Sequence, residues 1–267
     1  MIRERTGAAL LAALSAGAGA ETSSQCLIEP NQKIEIRSTV TATIKDVLVD
    51  RGSTIKRGQP LVALDAEIEQ ASLASATYRS VMQGQIRSAE ARLSNARDKF
   101  NRREELRKEN FVSAQDRDDS AAEARIAEAD LLEASDNREL ARLEARRLAA
   151  VVGHYTLSSP INGVVTDRLQ NPGELAQIGE NAGAILKLAQ IDPLRVDVVL
   201  PVSKYGSVKV GAVVDVRPEP PFNATYKATI RIVDRVMDSP SGTFRVRMEL
   251  PNPKGDIPAG VKCSAQL

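Results

Sequence analysis

Apolar residues recur along the middle of the chain at alternating intervals of three and four positions. This heptad rhythm is typical of helices that pair through a narrow apolar seam. The first set comprises Ile86, Ala89, Leu93, Ala96 and Phe100. The second comprises Ala127, Leu131, Ala134, Ala141, Ala145 and Leu148, with Arg138 interrupting the rhythm. The pattern predicts two long helices that pair antiparallel through small and apolar side chains.

The turn between these helices is indicated by a helix start signal. Residues 66–150 contain no proline and a single glycine, Gly84, so the helices are otherwise uninterrupted. Ser113 followed by Asp116 resembles a capping box with Asp in place of Glu, which places the turn at about Asn110–Val112. At about 1.5 Å per residue the first helix would extend roughly 65 Å. We therefore expect a hairpin that projects as a rod.

The segments on either side of the hairpin resemble each other and carry short apolar strands. Ser38–Asp65 and Ser159–Leu188 align from their first serines onward. Both copies hold two glycines suited to turns with positive φ, which are Gly52 and Gly58 in the first and Gly173 and Gly179 in the second. Neither copy has enough apolar surface for its own core. We expect the two halves to pack together as one split β-sandwich.

The last part of the chain, residues 191–267, reads as five or six short strands without helices. Turn signals separate them at "SPSG", "NPKGD" and "PAG". Such strands suggest a small closed β-barrel, because closure removes exposed edges. The predicted fold class is mostly β with a long α-helical hairpin.

Composition excludes several classes of function. The chain has 36 basic and 35 acidic residues, and aromatic residues make up 3%. That balance argues against nucleic acid as a partner, since phosphate binding requires a basic excess. The one histidine, His154, and two cysteines without a CxxC motif indicate no metal site. We find no catalytic constellation and expect neither enzymatic activity nor a cofactor.

The amino terminus resembles an export signal. Residues 1–20 combine a basic start, a short apolar run and an Ala-x-Ala site before Glu21. We predict a cleaved signal peptide, with retention as a weak membrane anchor as the alternative. Export would permit a disulfide between Cys26 and Cys263. The sequence alone leaves open whether these two residues meet.

Three motifs in a fixed order resemble the periplasmic adaptor, or membrane-fusion, proteins of tripartite efflux systems of the resistance-nodulation-division (RND) type. They are "VLVDRGSTIKRGQPLVALD" and "LSSPINGVV" in the two halves of the sandwich, and "GTFRVRMELPNPKGDIPAGVKCSAQL" in the barrel. The resemblance implies a lipoyl-like domain from residues 21–65 and 151–190. It further implies a coiled-coil hairpin over residues 66–150 and a barrel over residues 191–267.

The resemblance also implies partners and a docking site. The family's tip motif, Arg-x3-Leu-x6-Ser, fits Arg102, Leu106 and Ser113, which would meet an outer-membrane channel. An inner-membrane transporter would bind elsewhere and hold the protein at the inner membrane. Several copies would form a ring in the periplasm, and the assembly would export drugs or other small molecules.

Three alternatives remain open on the sequence. An adaptor of an ATP-driven (ABC-type) exporter or a type I secretion system would carry the same domains. A coiled-coil scaffold without a transport role would need only the hairpin. A lipoyl- or biotin-carrying domain would need an acceptor lysine at the turn where the hairpin is inserted, and no such lysine follows "ALD".

Overall fold

The computed structural model describes residues 23–179, 182–222 and 224–267. The strands are β1 (Ser23–Ile36), β2 (Ala42–Val47), β3 (Thr54–Ile55), β4 (Pro60–Leu64), β5 (Thr156–Ser158), β6 (Gly163–Arg168), β7 (Leu175–Ala176), β8 (Leu186–Pro201), β9 (Val213–Pro218), β10 (Tyr226–Val233), β11 (Thr243–Leu250) and β12 (Val261–Gln266). The helices are α1 (Glu67–Val81), α2 (Gly84–Lys108) and α3 (Ala114–Gly153), with a 3-10 turn at Val202–Lys204. The predicted signal peptide lies outside the described residues.

The chain forms two compact units. Among the described residues, one combines residues 23–33 with residues 190–267, and the other is Ile34–Ala189. The second unit contains the hairpin and the two repeats that flank it.

The two repeats interlock as a split sandwich. Strand β2 of the first copy pairs with β7 of the second, and β3 pairs with β6. The buried core, which includes Ile44 and Val165, lies entirely outside the hairpin. Thus each half supplies strands and apolar side chains that the other lacks, as the sequence predicts.

Equivalent positions of the repeats make equivalent contacts, which confirms the alignment. The buried hydroxyl of Ser38 donates to the carbonyl of Val40 at 2.5 Å, and that of Ser159 donates to the carbonyl of Ile161 at 2.6 Å. The aligned glycines all have positive φ: Gly52, Gly58, Gly173 and Gly179 at 85°, 80°, 91° and 128°. A side chain at these turns would be strained, so glycine is required there.

The first arm of the hairpin is two helices, which corrects the prediction of a single one. Met82 takes an extended ψ of 130° and ends α1. The cause is a change of phase in the seam. The positions of α1 that are buried or half-buried are Glu69, Leu73, Ala76 and Ser80, so the rhythm would next turn Gln83 and Arg87 inward. In α2, however, Ile86 is the half-buried residue and Arg87 is exposed. The inward positions of α2 therefore come one residue earlier than a continuation of α1 would place them.

The predicted seam is confirmed beyond the break. Ala89 and Leu93 of α2 and Ala127 of α3 are buried, while Phe100 and Leu131 are half-buried. Exposed ion pairs flank the seam, with Arg97 3.0 Å from Glu128 and Lys99 2.6 Å from Glu123. Exposed pairs contribute little stability, so the apolar seam holds the helices together.

The other unit is a closed barrel, as the sequence predicts. Its strands follow the order β1-β12-β9-β10-β11-β8, and pairing of β1 with β8 closes the ring. Alternate residues of the strands point into one core, except after the irregularity at Ile230–Ile232 of β10, and Ile257 joins this core from the segment between β11 and β12. The buried members are Cys26, Ile28, Leu194, Val196, Val198, Leu200, Val214, Val216, Ala228, Ile230, Phe244, Val246, Met248, Leu250, Ile257, Cys263 and Ala265. Such alternation is expected of strands that wall a barrel.

The start of the chain's described part belongs to this barrel, which differs from the expected boundary at residue 191. Ser23 lies opposite Gln266 and Ile28 opposite Val261, so β1 and β12 are antiparallel neighbours. Ile28 is fully buried in the barrel core. Residues 23–33 are therefore a barrel strand and not part of the lipoyl-like half that was expected to begin at residue 21.

The two cysteines are joined in the structure. Cys26 and Cys263 are register partners on β1 and β12, their Cα atoms lie 4.8 Å apart, and their sulfurs are bonded. Both side chains are buried in the barrel core.

Candidate functional site at the hairpin tip

The end of α2 is stopped by a specific backbone motif. Asn110 has a φ of 63°, a left-handed conformation that asparagine tolerates better than most residues. Its N–H donates to the carbonyl of Arg107 at 3.0 Å, and the N–H of Phe111 donates to the carbonyl of Leu106 at 2.9 Å. This pair of hydrogen bonds defines a Schellman cap, which reverses the chain and brings Phe111 back to Leu106.

The start of α3 is held by the capping box that the sequence predicts. The Ser113 hydroxyl accepts a hydrogen bond from the N–H of Asp116 at 3.0 Å and donates to the Asp116 carboxylate at 2.6 Å. The Asp116 carboxylate also accepts from the N–H of Ser113 at 3.3 Å. Hydrogen bonds from the side chain and backbone of Ser113, with a smaller contribution from Arg103, hold the pKa of Asp116 below its ordinary value of 3.8.

Ion pairs tie the two helices together just below the tip. Arg103 lies 3.3 Å from Asp116, and Arg117 lies 3.0 Å from Glu104. Arg102 is exposed, and within the described ranges the structure records no hydrogen bond or ion pair for it. Of the two neighbouring arginines, Arg103 thus braces the hairpin and Arg102 presents a free guanidinium to the surroundings.

The predicted docking residues occupy different positions at this tip. Arg102 and Leu106 both lie on α2, and Leu106 is 41% exposed. Ser113 caps α3, and its hydroxyl is already engaged with Asp116. The structure therefore assigns Ser113 a place in the cap, and the docking role of the three residues stays a prediction.

One exposed residue at the tip was missed by sequence reasoning. Phe111 is 73% exposed, although large aromatic side chains usually bury most of their surface. The Schellman cap joins its backbone to that of Leu106, and an apolar contact between these two positions often accompanies the cap. The signal was present in the sequence as an aromatic residue directly after Asn110 in a run of charged residues.

The rest of the described chain offers no competing chemical centre. Among these residues no group of three or more His, Cys, Asp or Glu side chains is placed to hold a metal ion. His154 is an exposed residue at the end of α3. No helix in the described ranges has the length and apolar character needed to span a membrane.

The hairpin matches a known family. Residues 78–146, which include the whole tip, match the family model described as the alpha-helical hairpin domain of RND MFP (membrane-fusion) proteins.

Several curated proteins are similar over most of the chain. The multidrug resistance protein MdtE of Escherichia coli K12 is 27% identical over 88% of this chain and 61% of its own length. The multidrug efflux pump subunit AcrA of the same organism is 26% identical over 87% of this chain and 58% of its own. The solvent efflux pump periplasmic linker SrpA of Pseudomonas putida is 26% identical over 87% of this chain and 57% of its own length. The chain thus spans about three fifths of the length of these relatives.

Solved structures share the fold. MacA from Actinobacillus actinomycetemcomitans superposes with a TM-score of 0.75 at 19% identity, covering 91% of this chain and 76% of that one. The membrane fusion protein Spr0693 from Streptococcus pneumoniae R6 superposes with a TM-score of 0.64 at 14% identity, covering 91% of this chain and 97% of that one. Residues 78–146 thus match the hairpin domain of RND membrane-fusion proteins, and over most of its length the chain is similar in sequence to efflux-pump proteins and in fold to membrane-fusion proteins.

Proposed function

We propose that this chain is the periplasmic adaptor of an efflux system, linking an inner-membrane RND transporter to an outer-membrane channel for export of drugs or other small molecules. The observation that carries the proposal is the hairpin, whose match to the RND family includes its exposed tip. The role is mechanical and not catalytic. The same match favours an RND transporter over the ABC-type or type I secretion alternative.

The tip is the proposed site of contact with the channel. Arg102 can donate several hydrogen bonds to carboxylates or carbonyls of a partner, because nothing recorded in the described chain occupies its guanidinium. Leu106 supplies an apolar contact beside it. Ser113 contributes indirectly, since its cap fixes the direction in which α3 leaves the tip.

The docking role is tested by reversing one charge at the tip. Arg102→Asp should abolish site-specific cross-linking of the tip to the channel and restore drug susceptibility. Arg92→Asp is the matched control, because Arg92 is also an exposed residue of α2 but lies nearly three helical turns lower. Wild-type cross-linking and resistance in Arg102→Asp would contradict the docking role.

Assembly of several copies into a ring is also part of the proposal. Ile68, Tyr78 and Val81 are exposed on α1, and Leu132, Leu140 and Leu143 are exposed on α3. On each helix these residues lie away from the side that packs against the other arm, which for α3 is marked by Ala127. Two different apolar edges on one hairpin favour head-to-tail contacts between copies, which close into rings.

The ring is tested by placing a charge on each edge in turn. Tyr78→Asp and Leu140→Asp should each reduce the assembled mass measured by light scattering in the presence of the transporter and the channel. Val210→Asp is the control, since Val210 is equally exposed but lies in the barrel unit. An unchanged assembled mass in both edge variants would refute the proposed packing.

A further inference from the structure

The disulfide lies at the point where the barrel closes. Strand β1 comes from the beginning of the described chain, whereas its neighbour β12 ends it, and Cys26 and Cys263 are 237 positions apart. Strand β1 borders both β12 and β8, so the ring of strands is complete only while β1 is in place.

The noncovalent hold on these terminal strands is limited. Strand β12 pairs with β9 over three positions, where Cys263, Ser264 and Ala265 lie opposite Pro218, Arg217 and Val216. One more backbone hydrogen bond, of 2.9 Å, runs from the N–H of Glu219 to the carbonyl of Lys262. Pro218 has no N–H and therefore cannot donate to this ladder. Beyond its pairings with β12 and β8, β1 is held by burial of Ile28, by the ion pair between Arg195 and Glu29, and by a hydrogen bond of 3.2 Å from Asn31 to Gln190.

The disulfide links β1 to β12 covalently, so the two strands no longer have to find each other from distant positions in the chain. In a reduced chain β1 must find β12 across the whole sandwich and hairpin, and the entropy of closing such a loop rises with its length. Once the bond forms, the unfolded alternatives of the barrel are restricted. No other cysteine is present in the chain, so no second pairing can substitute.

We infer that the Cys26–Cys263 bond is a redox latch that keeps β1 in the barrel, while the sandwich and hairpin fold independently of it. The partner it requires is a disulfide oxidant, that is, a protein or small molecule carrying an exchangeable disulfide. In the exchange the two cysteine thiols lose two electrons and two protons and form one S–S bond. The oxidant's disulfide accepts both and leaves as two thiols. This inference stands whether or not the chain acts in efflux.

The latch predicts a local response to reduction. We compare the oxidised chain, the chain after reduction by a phosphine, and the double variant Cys26→Ser/Cys263→Ser by hydrogen exchange with mass spectrometry. Amides of residues 23–28 and 261–266 should exchange at least about tenfold faster in the reduced chain and in the double variant, because loss of a disulfide that closes a long loop changes opening equilibria by at least that factor. Amides of α2 and α3 should be unaffected. Reoxidation of the wild type by glutathione disulfide should restore protection.

Controls separate the latch from general unfolding. Adding the phosphine to the double variant should change nothing, which excludes effects of the reductant itself. Alkylation under denaturing conditions should find no free thiol in the oxidised chain and two after reduction. Three results would each overturn the inference: two free thiols in the chain purified from an oxidising compartment, unchanged exchange at both terminal strands after verified reduction, or loss of protection across the hairpin as well.

Discussion

At the scale of single residues, the tip combines two caps that meet within a few positions. The Schellman cap around Asn110 ends one helix, and the capping box of Ser113 and Asp116 begins the next. Helix ends carry backbone groups without partners, so a tight turn between two long helices is stable only when both ends are capped. The result is an ordered platform for Arg102, Leu106 and Phe111.

The capping box makes the tip sensitive to acid. The folded tip holds the pKa of Asp116 below 3.8, so this contribution to stability is complete above that value and is lost as the pH falls through the lowered pKa. Ser113→Ala should return the pKa of Asp116 toward 3.8 and cost about 1 kcal/mol of hairpin stability. A side-chain NMR titration of Asp116 and thermal melting monitored by circular dichroism would measure both.

Two variants sharpen this prediction. Ser113→Thr keeps the hydroxyl and should retain the lowered pKa of Asp116, whereas Arg103→Gln should raise that pKa only slightly, because Arg103 contributes less than Ser113. The capping explanation fails if Asp116 titrates identically in the wild type and in Ser113→Ala.

At the scale of elements, the break between α1 and α2 follows from the phase of the seam. Gly84 lies next to the break, and glycine often interrupts a helix. However, a Cβ at this position would meet nothing within 4 Å, and the φ of Gly84 is not positive, so the structure does not require glycine there. Its low helix propensity weakens the region without dictating a break. The break is caused by the one-residue mismatch between the inward positions of α1 and α2, and substituting Gly84 does not remove that mismatch.

A pair of variants separates these two causes. Gly84→Ala alone should leave Met82 and Gln83 nonhelical. Inserting one alanine between Gln83 and Gly84, together with Gly84→Ala, should bring both seams into one phase and fuse α1 with α2. Hydrogen exchange at the Met82–Gln85 amides measures the outcome. Slow exchange there in Gly84→Ala alone would show that propensity, and not phase, causes the break.

At the scale of the whole molecule, the hairpin is an insertion that the sandwich does not need. The strands that flank it are direct neighbours, with Ala63 opposite Thr156 and the N–H of Leu64 donating to the carbonyl of Tyr155 at 2.8 Å. Since the sandwich core contains no residue of the three helices, its burial is independent of them.

Removing the hairpin should therefore leave a folded protein. A variant in which Asn-Gly joins Leu64 directly to Tyr155 closes β4 and β5 by a two-residue turn, which such dipeptides favour. We expect loss of the helical circular-dichroism signal and retention of a cooperative thermal transition for the β structure. A chain that no longer unfolds cooperatively would show that the sandwich depends on the hairpin.

Local patterns in the sequence determined much of this protein. The heptad spacing around Leu93, the cap at Ser113 and the paired glycines of the repeats each depend on neighbours within a few positions, and the structure agrees with all of them. Resemblance to a family supplied Arg102 and Leu106 as docking residues, and their exposure is compatible with that role.

Tertiary structure alone decided the features that join distant parts of the chain. No local signal assigns residues 23–33 to the barrel, because the partner strand β12 lies at the other end of the sequence. The same pairing decides whether Cys26 meets Cys263. The helix break is of the same kind, because the regular apolar seams of α1 and α2 pack against the single continuous helix α3 and differ in phase by one residue. Periodicity reports which face of an element is buried, whereas the choice of partner for that face is made by packing across the whole chain.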